Sequence, residues 1–235
     1  MAANTGKQEA ALRLRGLPRS LSMSHPVLAG HDRVELKLPD ALAAHAGAAT
    51  VSLPVREKRG KVAAVRLRLN RRAPPGCYTA KLAIGDETRD ISLDIAPAPR
   101  LAIFPPSAHF DAAAGKEAVL DITFTNTGNV AIDLPERAVV GLFDDDGLEM
   151  AFVETYRQQT DSPTELLGTW LRSLRNGYGG LLKLRVTGGG ALLPGDERII
   201  RAAAHVPEGL SAGHSYHGVW ELGPVNYRIA VTAQR

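Results

Sequence analysis

The chain has 235 residues, of which 44% are hydrophobic and 23% charged, so it is long enough for two ordinary domains with their own cores. The start of the chain carries scattered charges and no apolar run, and no segment approaches the roughly 18 apolar residues that cross a bilayer. A single cysteine, Cys77, excludes an internal disulfide and a cysteine-rich metal site. We therefore expect a cytoplasmic protein if Met1 is the native start, and a periplasmic or cell-surface protein if a signal peptide has been removed.

The formal net charge of +3 is unevenly divided along the chain. Residues 1–98 contain 16 Lys and Arg against 9 Asp and Glu, whereas residues 99–235 contain 12 against 16. This change of sign favours a basic domain followed by an acidic one. The segment Ala96–Pro99 contains two prolines between small residues and is typical of a short, stiff linker. It predicts a domain boundary at about residue 98.

Alternating apolar and polar residues dominate residues 12–98, after a polar, Ala-rich segment at 1–11 that we interpret as a flexible arm. The alternation predicts strands with one buried and one exposed face. Pro54 interrupts one of them, which predicts that its strand lies at a sheet edge. Residues Pro39–Ala49 predict a short helical turn or a loop. The alternating segments are Leu12–Arg15, Val34–Leu38, Val51–Val55 and Val65–Leu69.

A β-hairpin pattern occurs twice, at residues 75–95 and 212–231. Each copy has a Gly, a Tyr that opens an alternating strand, a Gly-containing turn and a second alternating strand. In immunoglobulin-like (Ig-like) sandwiches, a Tyr near the start of the penultimate strand packs at a corner, and its hydroxyl bonds to nearby backbone. Tyr78 and Tyr216 stand in that place. The repeat therefore predicts one sandwich in each half of the chain.

The second half, residues 99–235, continues the strand pattern with one exception. Ser162-Pro163-Thr-Glu165 has the features of a helix N-terminus: a Ser cap, Pro at the first helical position and Glu three residues after the cap. Apolar residues then recur at helical spacing as far as Gly177, which predicts a helix at about 163–176 inserted between strands. The strand-like segments are Leu101–Phe104, Ala118–Thr125, Val130–Leu134, Ala138–Phe143, Leu148–Tyr156, Leu181–Val186 and Arg198–Arg201.

The run Thr123–Asn129, with Leu193–Gly195 and Gly213-x-x-Tyr216, resembles bacterial Ig-like β-sandwich domains of the PapD-like and fibronectin-III-like kind. The resemblance covers most of the second half and, through the repeated hairpin, the end of the first. It implies an all-β fold of two antiparallel Ig-like sandwiches, the second with the inserted helix. Domains of this class are accessory parts of cell-surface proteins, glycosidases and pilus-assembly systems, so the resemblance implies a structural or binding role.

No group of residues in the sequence indicates catalysis. A nucleophile elbow and a phosphate-binding loop are both missing, and no carboxylate pair stands out for glycoside hydrolysis. His214 and His217 would point to opposite faces of a strand, which argues against one shared metal ion. Asp144–Glu149 lacks the spacing of a calcium loop, and we interpret it as a hairpin turn. We therefore expect no enzymatic activity, no cofactor and no metal site.

A cluster of cations surrounds the alternating strand Val65–Leu69. Arg66 and Arg68 share one face of that strand, where they would meet an acidic protein surface, a phosphate or another polyanion, or simply solvent. No aromatic residues interleave with these cations, which argues against single-stranded nucleic acid. The inserted helix is the second distinctive feature. The candidate partner-binding residues are Arg56, Lys58, Arg59, Lys61, Arg66, Arg68, Arg71 and Arg72 in the first half, and Trp170, Arg172 and Arg175 on the helix.

The sequence therefore predicts a non-enzymatic structural, assembly or adaptor protein that binds other proteins, as part of a larger assembly, through its sandwich surfaces. Two other classes remain open. A periplasmic pilus-type chaperone would need an export signal and a cation near the linker, for which Arg100 is the candidate. A carbohydrate-binding accessory module would need exposed aromatic residues on one face, but only two Trp and five Tyr are available, and most of them fit the core or the corners of the sandwiches.

Overall fold

The computed structural model describes residues 12–57, 62–157 and 162–234, most of which form β-strands. The chain divides into two compact units. The first extends to Pro99 and includes Thr127–Val130, and the second comprises Arg100–Asn126 and the chain from Ala131 onward. Each unit has its own apolar core. The protein is therefore all-β and consists of two Ig-like sandwiches, as the sequence predicts.

The first unit contains an eight-stranded sheet and a short helix. Its elements are β1 (Arg13–Gly16), β2 (Leu21–His25), β3 (Arg33–Lys37), α1 (Asp40–Ala46), β4 (Thr50–Pro54), β5 (Arg56–Glu57), β6 (Ala63–Leu67), β7 (Gly76–Ile84) and β8 (Glu87–Ile95). The strand order is β4-β3-β7-β8-β1-β2-β6-β5. β4 lies at one edge, which confirms the prediction from Pro54, because proline has no N–H to donate to a further strand. β1 pairs with β8 in parallel, and the other described pairs are antiparallel.

The core of the first unit consists of alternate residues from these strands. Leu14, Leu36 and Leu67 are fully buried, while their sequence neighbours, such as Arg13 and Arg66, face solvent. This follows from the two-residue period of a β-strand, which sends successive side chains to opposite faces. The inward-facing side chains therefore form one apolar layer. The outward-facing side chains of β1, β2 and β6 are mostly polar and basic.

The second unit contains an eight-stranded sheet, a separate two-stranded pair and two helices. Its elements are β9 (Leu101–Phe104), β10 (Ser107–Ala113), β11 (Glu117–Asn126), β12 (Ile132–Leu134), β13 (Arg137–Asp144), α2 (Gly147–Arg157), α3 (Pro163–Asn176), β14 (Tyr178–Thr187), β15 (Gly190–Leu192), β16 (Glu197–His205), β17 (Ser215–Leu222) and β18 (Val225–Gln234). The order of the larger sheet is β10-β18-β17-β13-β14-β16-β11-β9, and β12 pairs with β15.

Aromatic rings fill the core of the second unit. Phe124 and Trp220 meet edge to face with ring centroids 6.3 Å apart, and Trp220 and Tyr227 do so at 6.4 Å. All three side chains are at most 3% exposed. Edge-to-face contact is a favourable arrangement for buried rings, so this trio fixes β11, β17 and β18 against each other.

α3 begins and ends where the sequence predicts. The Ser162 hydroxyl accepts a hydrogen bond from the Glu165 N–H at 3.5 Å, and Pro163 occupies the first turn. The strand predicted at Leu148–Tyr156 is wrong, because this segment forms α2. The hairpin turn expected at Asp144–Glu149 is only partly correct: Asp145 and Asp146 form a turn, but it leads into α2 and not into a paired strand. Among the described residues, no helix has the length and apolarity that a membrane span requires.

Candidate functional site

The two helices form one insertion between β13 and β14, two strands that pair directly with each other. We call α2 and α3 together the helical hairpin. The Asp144 N–H donates to the Gly177 carbonyl at 2.8 Å, so the strand pairing continues up to the base of the insertion. A Cβ placed on Gly177 would lie 3.0 Å from the Gly147 Cα. The chain therefore leaves and re-enters the sandwich at the same point, and larger side chains would force these backbones apart.

The helices of the hairpin pack chiefly on each other. The rings of Phe152 and Trp170 contact each other at a tilt of 46°, with centroids 6.2 Å apart. The Ser173 hydroxyl donates a hydrogen bond to the Glu154 carboxylate, and Ala151 on α2 is fully buried. Trp170 Nε1 is buried without a hydrogen-bond partner among the described residues. Trp170 therefore holds the two helices together and is only partly available to a partner.

Large apolar side chains remain exposed on the hairpin. Tyr156 is 85% exposed and Leu167 and Leu171 are each more than half exposed. Leu167 and Leu171 lie four residues apart and so share one helix face, as do Phe152 and Tyr156 on α2. Met150 adds a fifth exposed apolar side chain. A concentration of this kind is typical of a surface that meets another molecule rather than of a scattered solvent-facing set.

A cavity of about 530 Å³ lies at the base of the hairpin. Met150 and Val153 supply apolar walls, and Asp146 and Glu149 supply carboxylates at its rim. A groove of about 550 Å³ continues along α2 beside Phe152 and Tyr156. The exposed side of α2 is therefore a shallow apolar strip with both a carboxylate, Glu149, and a cation, Arg157, in its lining.

Two aspartate–histidine pairs hold the start of β17 against the end of β13. His214 Nδ1 lies 2.8 Å from an Asp144 oxygen, and His217 Nδ1 bonds to the Asp145 carboxylate. The two histidines thus engage different carboxylates. In the part of the chain that the structure describes, no three His, Cys, Asp or Glu side chains converge as metal ligands. These pairs fix the strands that carry the hairpin.

The predicted cationic residues of the first unit lie on and after its outer strands. Arg66 lies on the exposed face of β6, opposite Ser22 of β2, and Arg56 on β5 stands opposite Ala64. Arg68, Arg71 and Arg72 are exposed in the segment that follows β6. Lys58, Arg59 and Lys61 fall outside the described residues.

The structure divides the predicted residues of α3 by role. Arg172 and Arg175 are exposed beside Leu171, whereas Trp170 is half-buried against α2. Sequence reasoning missed Phe152, Tyr156, Leu167 and Leu171 as site residues. The i, i+4 spacing of Phe152 and Tyr156 is a usable helical signal, although the apolar pattern of the segment also predicts a strand.

No family model matches the sequence, and no curated protein matches it. By contrast, 216 chains of solved structures are similar. A chain from the complex of Dpr11 IG1 with DIP-gamma IG+IG2 has 11% identity and a TM-score of 0.34, with 96% of each chain covered. Domains 4 and 5 of the S-layer protein SbsC have 14% identity and a TM-score of 0.30 over 91% of this chain and 82% of theirs. Titin-A168169 has 10% identity and a TM-score of 0.28 over 96% and 95%. Likenesses this distant say nothing about function.

Proposed function

We propose that the protein is a non-enzymatic adaptor that binds a protein partner through the helical hairpin. The observation that carries this proposal is the exposure of Phe152, Tyr156, Leu167 and Leu171 on an insertion that contributes no residue to the apolar core of the sandwich. Exposing large apolar side chains costs free energy in water, so their presence on this insertion favours a surface that becomes covered. Aromatic residues and arginine at its centre are typical of interfaces.

The charge on α3 indicates what kind of surface would cover it. Arg172 and Arg175 lie beside the exposed Leu167 and Leu171. An amphipathic helix of this kind fits an apolar groove in a partner, with acidic side chains at the rim of the groove. The partner that we propose is therefore a protein with an apolar, acid-rimmed groove.

Photo-cross-linking in native cells tests this proposal. A photoreactive phenylalanine analogue at position 156 is expected to capture one defined protein, which is then purified and its affinity for this chain measured. The same analogue at Tyr178, an exposed aromatic outside the hairpin, is the matched control. The double variant Leu167→Asp/Leu171→Asp is expected to weaken binding of that protein at least tenfold. Ile199→Asp, at a 67% exposed position on β16, should leave binding unchanged.

Removal of the hairpin gives a second, independent test. Because Asp144 and Gly177 already pair across its base, residues 145–176 can be replaced by Asn-Gly, a two-residue hairpin turn. Although the shortened chain lacks the bond between Asp145 and His217, it is expected to keep its cooperative unfolding and to lose the partner. The proposal is overturned if the shortened chain still binds the partner with the affinity of the full chain, or if position 178 captures the same protein as efficiently as position 156.

A further inference from the structure

A polar groove of about 860 Å³ lies on the outward face of β1 and β2 in the first unit. Arg13 and Arg15 line it from β1, Ser22 and Ser24 from β2, and Asp94 from β8. Its floor consists of short hydroxyl side chains, which leaves room above them between longer flanking residues. The one Met in its lining, Met23, points into the core and is 5% exposed. Gly16 and Ala96 also line the groove, so its charged and hydroxyl side chains lie beside small apolar surface.

Strand register places two arginines on either side of one serine. Arg15 pairs with Ser22, and Ser22 pairs on its other side with Arg66 of β6. Directly paired residues point to the same face, and neighbouring strands lie about 4.8 Å apart, so Arg15 and Arg66 start about 10 Å from each other with Ser22 between them. Both side chains are exposed and long enough to converge above the serine hydroxyl.

The charges of the groove are only partly balanced within the protein. Asp94 forms an ion pair with Arg13 at 2.6 Å. Within the described residues, Arg15 and Arg66 make no ion pair, although Arg15 stands opposite Asp94 in the strand register. His25, also in the lining, accepts a hydrogen bond from the Val27 N–H through Nδ1, which leaves its Nε2 edge available. Two guanidinium groups and a hydroxyl are thus left as donors.

We propose that this face binds a phosphate or sulfate group, held above Ser22 between Arg15, which lines the groove, and Arg66, which lies next to the groove on β6. Guanidinium groups donate two parallel hydrogen bonds to an oxyanion, and a tetrahedral anion has enough oxygens to accept from two arginines and a serine at once. A planar carboxylate has only two oxygens, so it accepts fewer hydrogen bonds from the two guanidinium groups at the same time. The lining contains no aromatic side chain, so the groove offers no stacking surface to a nucleobase. This inference concerns the first unit and does not depend on the helical hairpin.

Chemical-shift titration of the full chain tests the site directly. Inorganic phosphate and inorganic sulfate are the probes, and acetate is the carboxylate control, all at constant ionic strength. Saturable shifts are expected at the amides of Arg15, Ser22 and Arg66 with phosphate or sulfate, and none with acetate. The variant Arg15→Gln/Arg66→Gln is expected to raise the dissociation constant at least tenfold. Arg33→Gln, an exposed arginine on β3 of the same unit, removes the same kind of charge and should leave it unchanged.

Larger probes then identify the source of the group. Phosphoserine, a sulfated tetrasaccharide and a phosphodiester oligonucleotide are compared with a hexaglutamate peptide under the same conditions. A phosphate or sulfate monoester that binds at least tenfold more tightly than the inorganic ion supports the proposal and names the ligand class. Tighter binding of hexaglutamate than of either oxyanion would overturn it in favour of an acidic peptide. It is equally overturned if no probe gives saturable shifts, or if Arg33→Gln weakens binding as much as the double variant.

Discussion

Tyr78 and Tyr216 open the penultimate strands of the two units, and their hydroxyls bond to backbone in opposite senses. The Tyr78 hydroxyl donates to the Pro74 carbonyl at 3.1 Å, whereas the Tyr216 hydroxyl accepts from the Ser211 N–H at 3.0 Å. Both bonds return to the loop just before the strand, which confirms the corner predicted from the repeated hairpin. The same residue at the same place thus satisfies an acceptor in one unit and a donor in the other.

This difference predicts unequal effects of removing the two hydroxyls. Tyr216→Phe leaves the Ser211 N–H unpaired at a buried ring and should cost about 1–2 kcal/mol of unfolding free energy. Tyr78→Phe leaves a carbonyl that water can reach and should cost about 0.5 kcal/mol. Both tryptophans lie in the second unit, so fluorescence follows unfolding there and circular dichroism follows both units. Equal losses for the two variants would contradict this account.

Asn129 is a buried side chain that forms three hydrogen bonds to the backbone of the first unit. Its amide nitrogen donates to the carbonyls of Ala73 and Ala96, and its oxygen accepts from the Ala98 N–H at 2.6 Å. Asn129→Ala removes all three bonds and should lower the unfolding free energy by about 2–4 kcal/mol. Asn70→Ala is the control, because that exposed side chain accepts one bond from the Arg72 N–H. We expect the amide of Ala98 to exchange faster in the Asn129 variant than in the original protein, and to be unchanged in the control.

Replacing two glycines of the second unit by alanine should change the free energy of unfolding in opposite directions. A Cβ on Gly218 would lie 2.4 Å from the Gly141 carbonyl oxygen, so Gly218→Ala should destabilise by about 3 kcal/mol or more as β13 and β17 are forced apart. A Cβ on Gly168 meets nothing within 4 Å, and Gly168 lies inside α3. Gly168→Ala should therefore stabilise by about 0.5–1 kcal/mol through helix propensity. Thermal unfolding followed by fluorescence compares the two, and a destabilising Gly168→Ala would be inconsistent with the open space seen there.

Burial raises the pKa of Tyr227 from 10.0 to about 12. The folded chain then holds a proton between pH 10 and 12 that the unfolded chain has lost. This contribution to stability is fully present below pH 10 and disappears as pH rises towards 12. Tyr227→Phe should show a shallower loss of stability across that window, although it also loses the bond to the Pro105 carbonyl at all pH values. Denaturant unfolding of both proteins from pH 8 to 12 measures the difference, and parallel curves would exclude the shift.

Sequence patterns predicted the elements whose signals are local. The hairpins, the edge position of β4 and the start of α3 each follow from a period, a proline or a cap within a few residues. α2 was mistaken for a strand because Phe152, Val153 and Tyr156 favour strands intrinsically, while its packing partner α3 lies beyond the reach of local pattern. β2 and β10 were missed, although Leu21, Met23 and His25 alternate with serines as a strand requires.

The candidate sites needed long-range pairing to become visible. Arg66 was predicted as part of a cationic strand, but its neighbours Arg15 and Ser22 reach it only through pairings between β1, β2 and β6. Sequence separation gives no clue to that register. The exposed apolar face of the hairpin was hidden for a related reason, since recognising Phe152 and Tyr156 as surface residues requires knowing that α2 buries its other side on α3.

In each unit a strand near the start pairs in parallel with the last strand, β1 with β8 and β10 with β18, and this pairing has a mechanical consequence. In the second unit, β10 and β18 match seven residues in parallel, from Ser107 opposite Arg228 to Ala113 opposite Gln234. A force drawn from the start of β10 and the end of β18 acts along the strands, so the ladder must break by shear, with many hydrogen bonds loaded together rather than one after another. β1 and β8 offer only four such pairs. Under tension, we expect the first unit to yield before the second.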